Sequence, residues 1–166
     1  MCIRDSSIPR HSGQIQMIYN HKPSQYFHKY IDGPSTPLYP FGFGLSYTRF
    51  AYSSLKLSHT RISDKDSFTA SIELTNVGDR EGTEVVQLYI RDIYSSATRP
   101  VKELKDFARV TLKPGEKKTV TFTVTPDKLA YWNRNMQYGV EKGEFEIMIG
   151  SSSQDKDLKK VKMEVL

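Results

Sequence analysis

From Phe50 onward, apolar and polar residues alternate along the chain with a period of two, in short runs separated by polar breaks. Such alternation predicts β-strands that bury one face and expose the other. The clearest runs are residues 55–57, 68–75, 86–90, 120–124, 145–149 and 161–165. Residues 104–112 predict a strand with an irregular start, because Leu104 and Phe107 are three residues apart whereas Val110 and Leu112 are two apart.

The breaks between these runs carry residues that favour turns, and no helical period intervenes. They are Asn76–Gly82, Lys113-Pro114-Gly115-Glu116, Thr125-Pro126-Asp127 and Glu141-Lys142-Gly143. Several short strands at this spacing predict an all-β fold, an antiparallel β-sandwich. Cys2 is the single cysteine, so an internal disulfide is excluded. Among immunoglobulin-like sandwiches, the fibronectin type III-like kind therefore fits better than the disulfide-bonded kind.

Before these strands lies an aromatic connector, residues 37–48, which we expect to be extended. Its two prolines exclude a helix. Rings occur at Tyr39, Phe41 and Phe43, and the residues between them are proline or glycine. In an extended backbone alternate side chains share a face, so the pattern predicts three rings on one face. Two interpretations stay open: a linker packed on its own domain, or a connector packed between this domain and something larger.

This connector closely resembles the one that precedes the C-terminal fibronectin type III-like domain of family 3 glycoside hydrolases, the β-glucosidases and β-xylosidases. Residues 7–15 and 29–34 resemble the end of the family's α/β sandwich domain and its exit. Residues 85–90, 99–107 and 112–116 resemble the fibronectin type III-like domain itself. The resemblance implies three parts: residues 1–6 as a non-native or misannotated start, residues 7–50 as the end of the α/β sandwich domain plus the connector, and residues 51–166 as the fibronectin type III-like domain.

The resemblance also implies a function: a C-terminal fragment of a retaining β-glucosidase or β-xylosidase, which hydrolyses O-glycosyl bonds. The family's catalytic Asp and Glu lie upstream, in a (β/α)₈ barrel and in the α/β sandwich domain. We therefore expect no catalytic residue in this chain and no activity from it alone. The expected partners are those upstream domains and, for the intact enzyme, a β-linked saccharide. The expected interdomain contacts are Tyr39, Phe41, Phe43 and Tyr47. An exported parent, periplasmic or secreted, is an expectation from the family only.

Other candidate residues carry weaker signals. Arg99, in the loop of residues 93–100, is a candidate for saccharide binding, and the alternative is a surface arginine or an interdomain ion pair. Tyr131 and Trp132 are candidates for a sugar-stacking platform, and the alternative is that one or both lie in the core. The acids Asp32, Asp92 and Glu103 are expected to be ordinary turn and strand-end residues rather than glycosidic catalysts.

Charge and composition exclude several function classes. The net charge is +5, but the lysines are interleaved with acids along predicted strands, which indicates solvated faces rather than a nucleic-acid or membrane surface. No apolar run is long enough to span a bilayer. His11, His21, His28 and His59 lack zinc-ligand spacing, and no metal or cofactor is expected. The alternative function is a stand-alone β-sandwich that binds carbohydrate or a protein partner.

Overall fold

The structure is a computed structural model that describes residues 7–14, 17–23 and 33–166. Strands dominate, as the alternation predicts. They are β1 (Phe50–Tyr52), β2 (Lys56–Leu57), β3 (Arg61–Ile62), β4 (Phe68–Asn76), β5 (Gly82–Asp92), β6 (Glu103–Leu112), β7 (Lys117–Val124), β8 (Tyr131–Trp132), β9 (Tyr138–Gly139), β10 (Gly143–Gly150) and β11 (Leu158–Val165). A one-turn helix, α1 (Pro126–Leu129), and a 3₁₀ turn at Asp155–Asp157 connect them.

Two sheets face each other, and the predicted antiparallel sandwich is confirmed. In the first sheet β4 pairs with β7 along one edge and with β1 and β2 in succession along the other. The second sheet has the order β3-β11-β10-β5-β6. Among the described strands, only the short β3–β11 pair is parallel. Strands β8 and β9 form a separate hairpin.

The core lies between the sheets and consists of the apolar members of the alternating runs. The first sheet contributes residues such as Phe68, Ile72 and Phe122, and the second contributes Leu88, Ile147 and Met163, all buried. Full burial of one such side chain contributes about 1.5–3 kcal/mol. The period of two therefore places one apolar set per strand in a single core, as the sequence predicts.

Two local features refine the simplest expectation. The irregular start of β6 is a bulge: Leu88 pairs with Asp106 but Tyr89 pairs with Leu104, so Lys105 is an extra residue. The break at Thr125-Pro126-Asp127 begins α1, because Pro126 occupies the first helical turn, where its missing N–H costs nothing. The expectations for residues 1–6, for Ile15, for His28 and for residues 29–32, which include Asp32, fall outside the described residues.

A buried asparagine ties both sheets to the connector. Asn76 lies at the end of β4, and its Nδ2 donates to the carbonyl oxygens of Leu112 (2.9 Å) and Arg80 (2.7 Å). Its Oδ1 accepts from the Thr48 hydroxyl (2.7 Å) and from the amide of Gly78 (3.1 Å). All four bonds of the amide are used in a fully buried site, where an unmade bond costs about 1–3 kcal/mol.

We expect Asn76→Asp to destabilise the chain by about 3 kcal/mol in urea unfolding at pH 7. The change keeps the shape but removes both donors and turns a carboxylate toward two carbonyl oxygens. Asn135→Asp, at an exposed site, is the matched control and should stay within about 0.5 kcal/mol of the parent chain. Equal effects of the two changes would contradict the role assigned to Asn76.

Candidate functional site: the docked connector and the polar end of the sandwich

Phe41 anchors the connector to the outer face of the five-stranded sheet. Its ring stacks on that of Tyr19, with centroids 4.2 Å apart and planes at 14°. Tyr19 in turn meets the buried Tyr89 ring edge-on at 5.9 Å. Tyr89 forms a small second core with Met148 and Leu158, against which Tyr19, Phe41 and Leu104 pack. The outer face of this sheet is thus covered by the connector region rather than by water.

Hydrogen bonds hold the connector in that position. The carbonyl of Phe41 accepts from the amide of Ser153 (2.9 Å), and its amide donates to the buried Ser7 hydroxyl (3.1 Å). The Tyr19 hydroxyl accepts from the amide of Leu104 at 3.1 Å. An antiparallel bridge joins Ile8 to Tyr39. Segments from both sides of the undescribed residues 24–32 therefore join the same sheet face.

A buried glutamine contacts the connector at its first glycine. Gln87 Nε2 donates to the carbonyls of Gly42 (3.1 Å) and Ser151 (2.7 Å), and its Oε1 accepts from the Tyr89 hydroxyl at 2.5 Å. Burial raises the pKa of the Tyr89 phenol, which keeps this donor protonated. A Cβ at residue 42 would lie 2.1 Å from Gln87 Oε1, so a larger residue would displace the Gln87 amide, and the φ of +79° independently favours glycine.

The expectation that three rings share one face is wrong. The amide of Phe43 donates to the carbonyl of Pro40 (3.1 Å), and Gly42 has φ +79°, which together make a tight turn. The turn changes which side chains of the connector share a face. Tyr39 and Phe43 therefore stack on each other, with centroids 5.2 Å apart, while Phe41 faces the sheet. Pro37 and Pro40 favour an extended backbone, but glycine can adopt a positive φ, and Gly42 uses it to turn the chain.

Several other large apolar side chains of the connector are partly or almost fully exposed to solvent. Tyr39 and Phe43 are each 43% exposed, Leu45 is 89% exposed and Tyr47 is 93% exposed. Large apolar side chains grouped in this way mark an interaction surface. The connector is thus anchored on one side, through Phe41, and uncovered on the other.

Arg99, the candidate for saccharide binding, contacts residues of the sandwich itself. Its side chain is mostly buried, pairs with the carboxylate of Glu103 and lies over the Tyr131 ring, 4.4 Å from the centroid. Nearby, Glu141 accepts from the amide (2.9 Å) and the hydroxyl (2.6 Å) of Ser96, and these bonds lower the pKa of Glu141. The ion pair is local to the sandwich rather than interdomain, and saccharide binding by Arg99 stays a prediction.

Asp92 is the unusual group of this polar end. It continues the inward series of β5 and is buried, and neither carboxylate oxygen has a hydrogen-bond partner of good geometry among the described residues. Desolvation raises the pKa of the Asp92 carboxyl to about 6. Arg99 and the amide of Tyr94 oppose the rise, while Glu141 and Glu103 add to it.

The two residues of the predicted sugar platform separate. Tyr131 is buried, and its hydroxyl lies 3.2 Å from both the amide and the hydroxyl of Ser96. Trp132 points the other way and is 61% exposed. Adjacent strand residues face opposite sides, so Tyr131 lies in the core, and the sugar-stacking prediction stays open for Trp132 alone.

The sequence interpretation missed the residues that receive the connector. Tyr89 and Met148 lie at outward positions of strands whose inward positions are already apolar. Apolar residues on both faces of a strand indicate a sheet covered on both sides, and this signal was present in residues 85–90. Tyr19 gave no such signal, because the alternation of residues 14–19 predicts a short strand, whereas the structure has a turn at Tyr19.

The described residues were also compared with the requirements for metal binding and for membrane insertion. Among the described residues, no three His, Cys, Asp or Glu side chains are grouped so that they could hold a metal ion. No helix in the described part of the chain combines the length and apolarity needed to cross a bilayer.

Comparisons with known proteins give the origin of this arrangement. The fibronectin type III-like domain family matches residues 84–153. A periplasmic β-glucosidase of Salmonella typhimurium is 45% identical over 157 residues, which are 89% of this chain and 20% of that protein. A β-xylosidase of Formosa agariphila is 46% identical over 162 residues, 96% of this chain and 22% of that protein. The chain carries the fibronectin type III-like domain of family 3 glycoside hydrolases.

Solved structures agree with this fibronectin type III-like assignment. A β-glucosidase from Erythrobacter marinus superposes with a TM-score of 0.90 at 41% identity, over 96% of this chain and 21% of that one. A β-glucosidase from Listeria innocua, in complex with glucose, superposes with a TM-score of 0.87 at 34% identity, over 97% of this chain and 24% of that one. The chain spans about a fifth of the length of the relatives it matches.

We expect Asp92→Asn to stabilise the fibronectin type III-like domain at pH 8 but not at pH 4. The folded-state pKa of about 6 lies above the usual aspartate value of about 3.9. At pH 4, the lower end of this window, the carboxyl of the folded state is still neutral, so its burial costs little stability. The parent chain then loses stability as the pH rises through this window, because the buried group must ionise.

The gain at pH 8 should be on the order of 1–2 kcal/mol, below the full linkage value, because Arg99 and solvent screen the charge. Urea unfolding from pH 4 to pH 8 measures it. Asp79→Asn, at an exposed site, is the control and should show no such pH dependence. A pH-independent difference for Asp92→Asn would mean that the carboxyl does not titrate in this window.

Proposed function

We propose that this chain is the support module of a longer family 3 glycoside hydrolase, and that its connector is packed between the sandwich and the catalytic domains. The parent enzyme would hydrolyse terminal β-linked glucose or xylose with retention of configuration. The names of the Salmonella typhimurium and Formosa agariphila relatives, a β-glucosidase and a β-xylosidase, support that substrate class. Their matched parts are about a fifth of each protein, which leaves room for the other domains.

The observation that carries the proposal is the two-sided connector. Phe41 and Tyr19 fix it to the sheet, while Leu45 and Tyr47 expose nearly their whole side chains. A linker that packed only on its own domain would turn these side chains inward. We assign the interdomain contact to the exposed members of the predicted set, Tyr39, Phe43 and Tyr47, and we assign Phe41 to the anchor on this side.

The domain division follows the same logic. We assign residues 7–50 to the end of a preceding α/β sandwich domain and its connector, and residues 51–166 to the fibronectin type III-like domain. The described part of residues 7–48 forms an isolated bridge and turns but no paired strand of the sandwich, and the regular strands begin at Phe50. Thr48 would attach the end of the connector to the sandwich at this boundary, because its hydroxyl donates to Oδ1 of Asn76 at the end of β4.

Catalysis would belong to the parent and not to this chain. A retaining enzyme needs two carboxyl groups about 5–5.5 Å apart that flank the scissile bond. Of the candidate acids that the structure describes, Glu103 pairs with Arg99, and Asp92 is buried inside the sandwich. We therefore infer that this chain alone is inactive. We also infer an exported parent, which the periplasmic Salmonella typhimurium relative supports.

A chimera tests the proposal. We would replace the matched fifth of the Salmonella typhimurium relative with this chain and assay an aryl β-glucoside, with this chain alone as the blank. The chimera should turn over the substrate and the blank should not. Tyr47→Ala should then lower the melting temperature of the chimera by at least about 3 °C, because it removes a buried interdomain contact.

Three comparisons make this test specific. In the isolated chain Tyr47→Ala should change the unfolding free energy by less than about 0.5 kcal/mol, because Tyr47 is exposed there. Phe41→Ala should destabilise chimera and isolated chain alike, by about 2–3 kcal/mol. Phe107→Ala, an exposed ring on β6, should affect neither. A Tyr47→Ala chimera as stable as its parent would refute the interdomain role.

A further inference from the structure

The β8–β9 hairpin presents an aromatic pair that none of the contacts above uses. Trp132 and Tyr138 are directly opposite each other in the hairpin register, so both side chains lie on one face. Their ring centroids are 5.4 Å apart with planes at 51°, and the residues are 61% and 53% exposed. Two adjacent open rings at such an angle form a shallow, twisted platform.

The tip of the hairpin is held in one conformation. Asn133 Oδ1 accepts from the amides of Asn135 (2.9 Å) and Gln137 (3.0 Å), and the backbone bonds of Asn133 close the loop. Met136 has φ +56°, a left-handed conformation that is uncommon outside glycine and asparagine. A rigid loop of this kind loses little conformational entropy when it binds a ligand.

The base of the hairpin is anchored by the polar end of the sandwich. Tyr131, the inward neighbour of Trp132, is buried, contacts Ser96 and lies beneath the guanidinium of Arg99. Because Tyr131 is fixed, the next side chain along the strand must point outward. Arg99 is therefore a positioning residue for the hairpin: it acts on Trp132 only through Tyr131.

The chemistry of the hairpin selects the class of ligand. Residues 131–139 include one charged side chain, Arg134, and three amides, Asn133, Asn135 and Gln137. Aromatic faces carry negative charge density that attracts the polarised C–H groups on the face of a sugar ring. Amides at the edge can exchange hydrogen bonds with hydroxyl groups. A strongly anionic ligand would want more than one cation at this site.

We propose that Trp132 and Tyr138 form a saccharide-binding site for a neutral oligosaccharide. One sugar ring would stack on each aromatic face, and the exposed amides of Asn135 and Gln137 would bind hydroxyls. The choice of β-linked glucose and xylose oligomers as probes rests on the proposed function, whereas the site itself rests on the hairpin.

The test exploits the fact that Trp132 is the only tryptophan in the sequence. We would titrate the full 166-residue chain with cellohexaose and with xylohexaose and follow tryptophan fluorescence. We expect a saturable change with at least one sugar and a Kd on the order of 1 mM, typical of a small open site. Tyr138→Ala keeps the tryptophan and should weaken binding about tenfold, and Phe107→Ala is the matched control that should leave it unchanged.

Three results would overturn the site. The first is the absence of a saturable change up to about 20 mM of either sugar. The second is a change that Tyr138→Ala leaves intact. The third comes from the chimera: if Tyr138→Ala lowers its melting temperature as much as Tyr47→Ala does, the hairpin is an interdomain contact instead. Titration of the isolated chain reads the hairpin alone, so failure of the titration is distinguishable from failure of the proposed support role, which the Tyr47 variant reads.

Discussion

The packing of Phe41 between Tyr19 and the outer face of the five-stranded sheet is the contact on which the rest of the arrangement depends. It buries Tyr89 and Met148, which would otherwise expose apolar surface on the wrong side of the sheet. It also brings Ser7, Gly42 and Ser153 within hydrogen-bond distance of their partners. Apolar burial and these directional hydrogen bonds act together, so the connector is packed on the sandwich rather than loose in solvent.

Because the connector is fixed on the sheet, its exposed rings are held in fixed directions. Anchoring through Phe41 sets the direction in which Tyr39, Phe43 and Tyr47 point, and the turn at Gly42 separates these rings from the anchor. A support module of this kind contributes rigidity and position to a neighbouring domain without supplying a reacting group. Elsewhere on the domain, Arg99 and Ser96 hold Tyr131 at the base of the β8–β9 hairpin. In both places a buried aromatic contact lies next to exposed aromatic rings.

The sequence predicted the sandwich well because its strands follow a period of two, and burial then selects the register. Even the irregular start of β6 corresponds to a real bulge at Lys105. The connector was harder. Two prolines suggested an extended ribbon, but Gly42 adopts a positive φ and turns the chain, which no periodicity reports. Arg99 illustrates the same limit: Glu103 is only four residues away, but Tyr131 is distant in sequence and meets Arg99 only in the folded chain. The outward apolar Tyr89 was the available signal for a covered sheet face.

Hydrogen exchange of the isolated chain tests the docked connector most directly. The amide of Ser153 donates to the Phe41 carbonyl, which requires that the connector lies on the sheet, and the amide of Leu104 donates to the hydroxyl of Tyr19, on which Phe41 stacks. With the connector docked, both amides should exchange at least about a hundredfold more slowly than unstructured amides. Exchange of both at the unstructured rate, while the amide of Leu88 in β5 stays protected, would show that the connector is not fixed to the sheet.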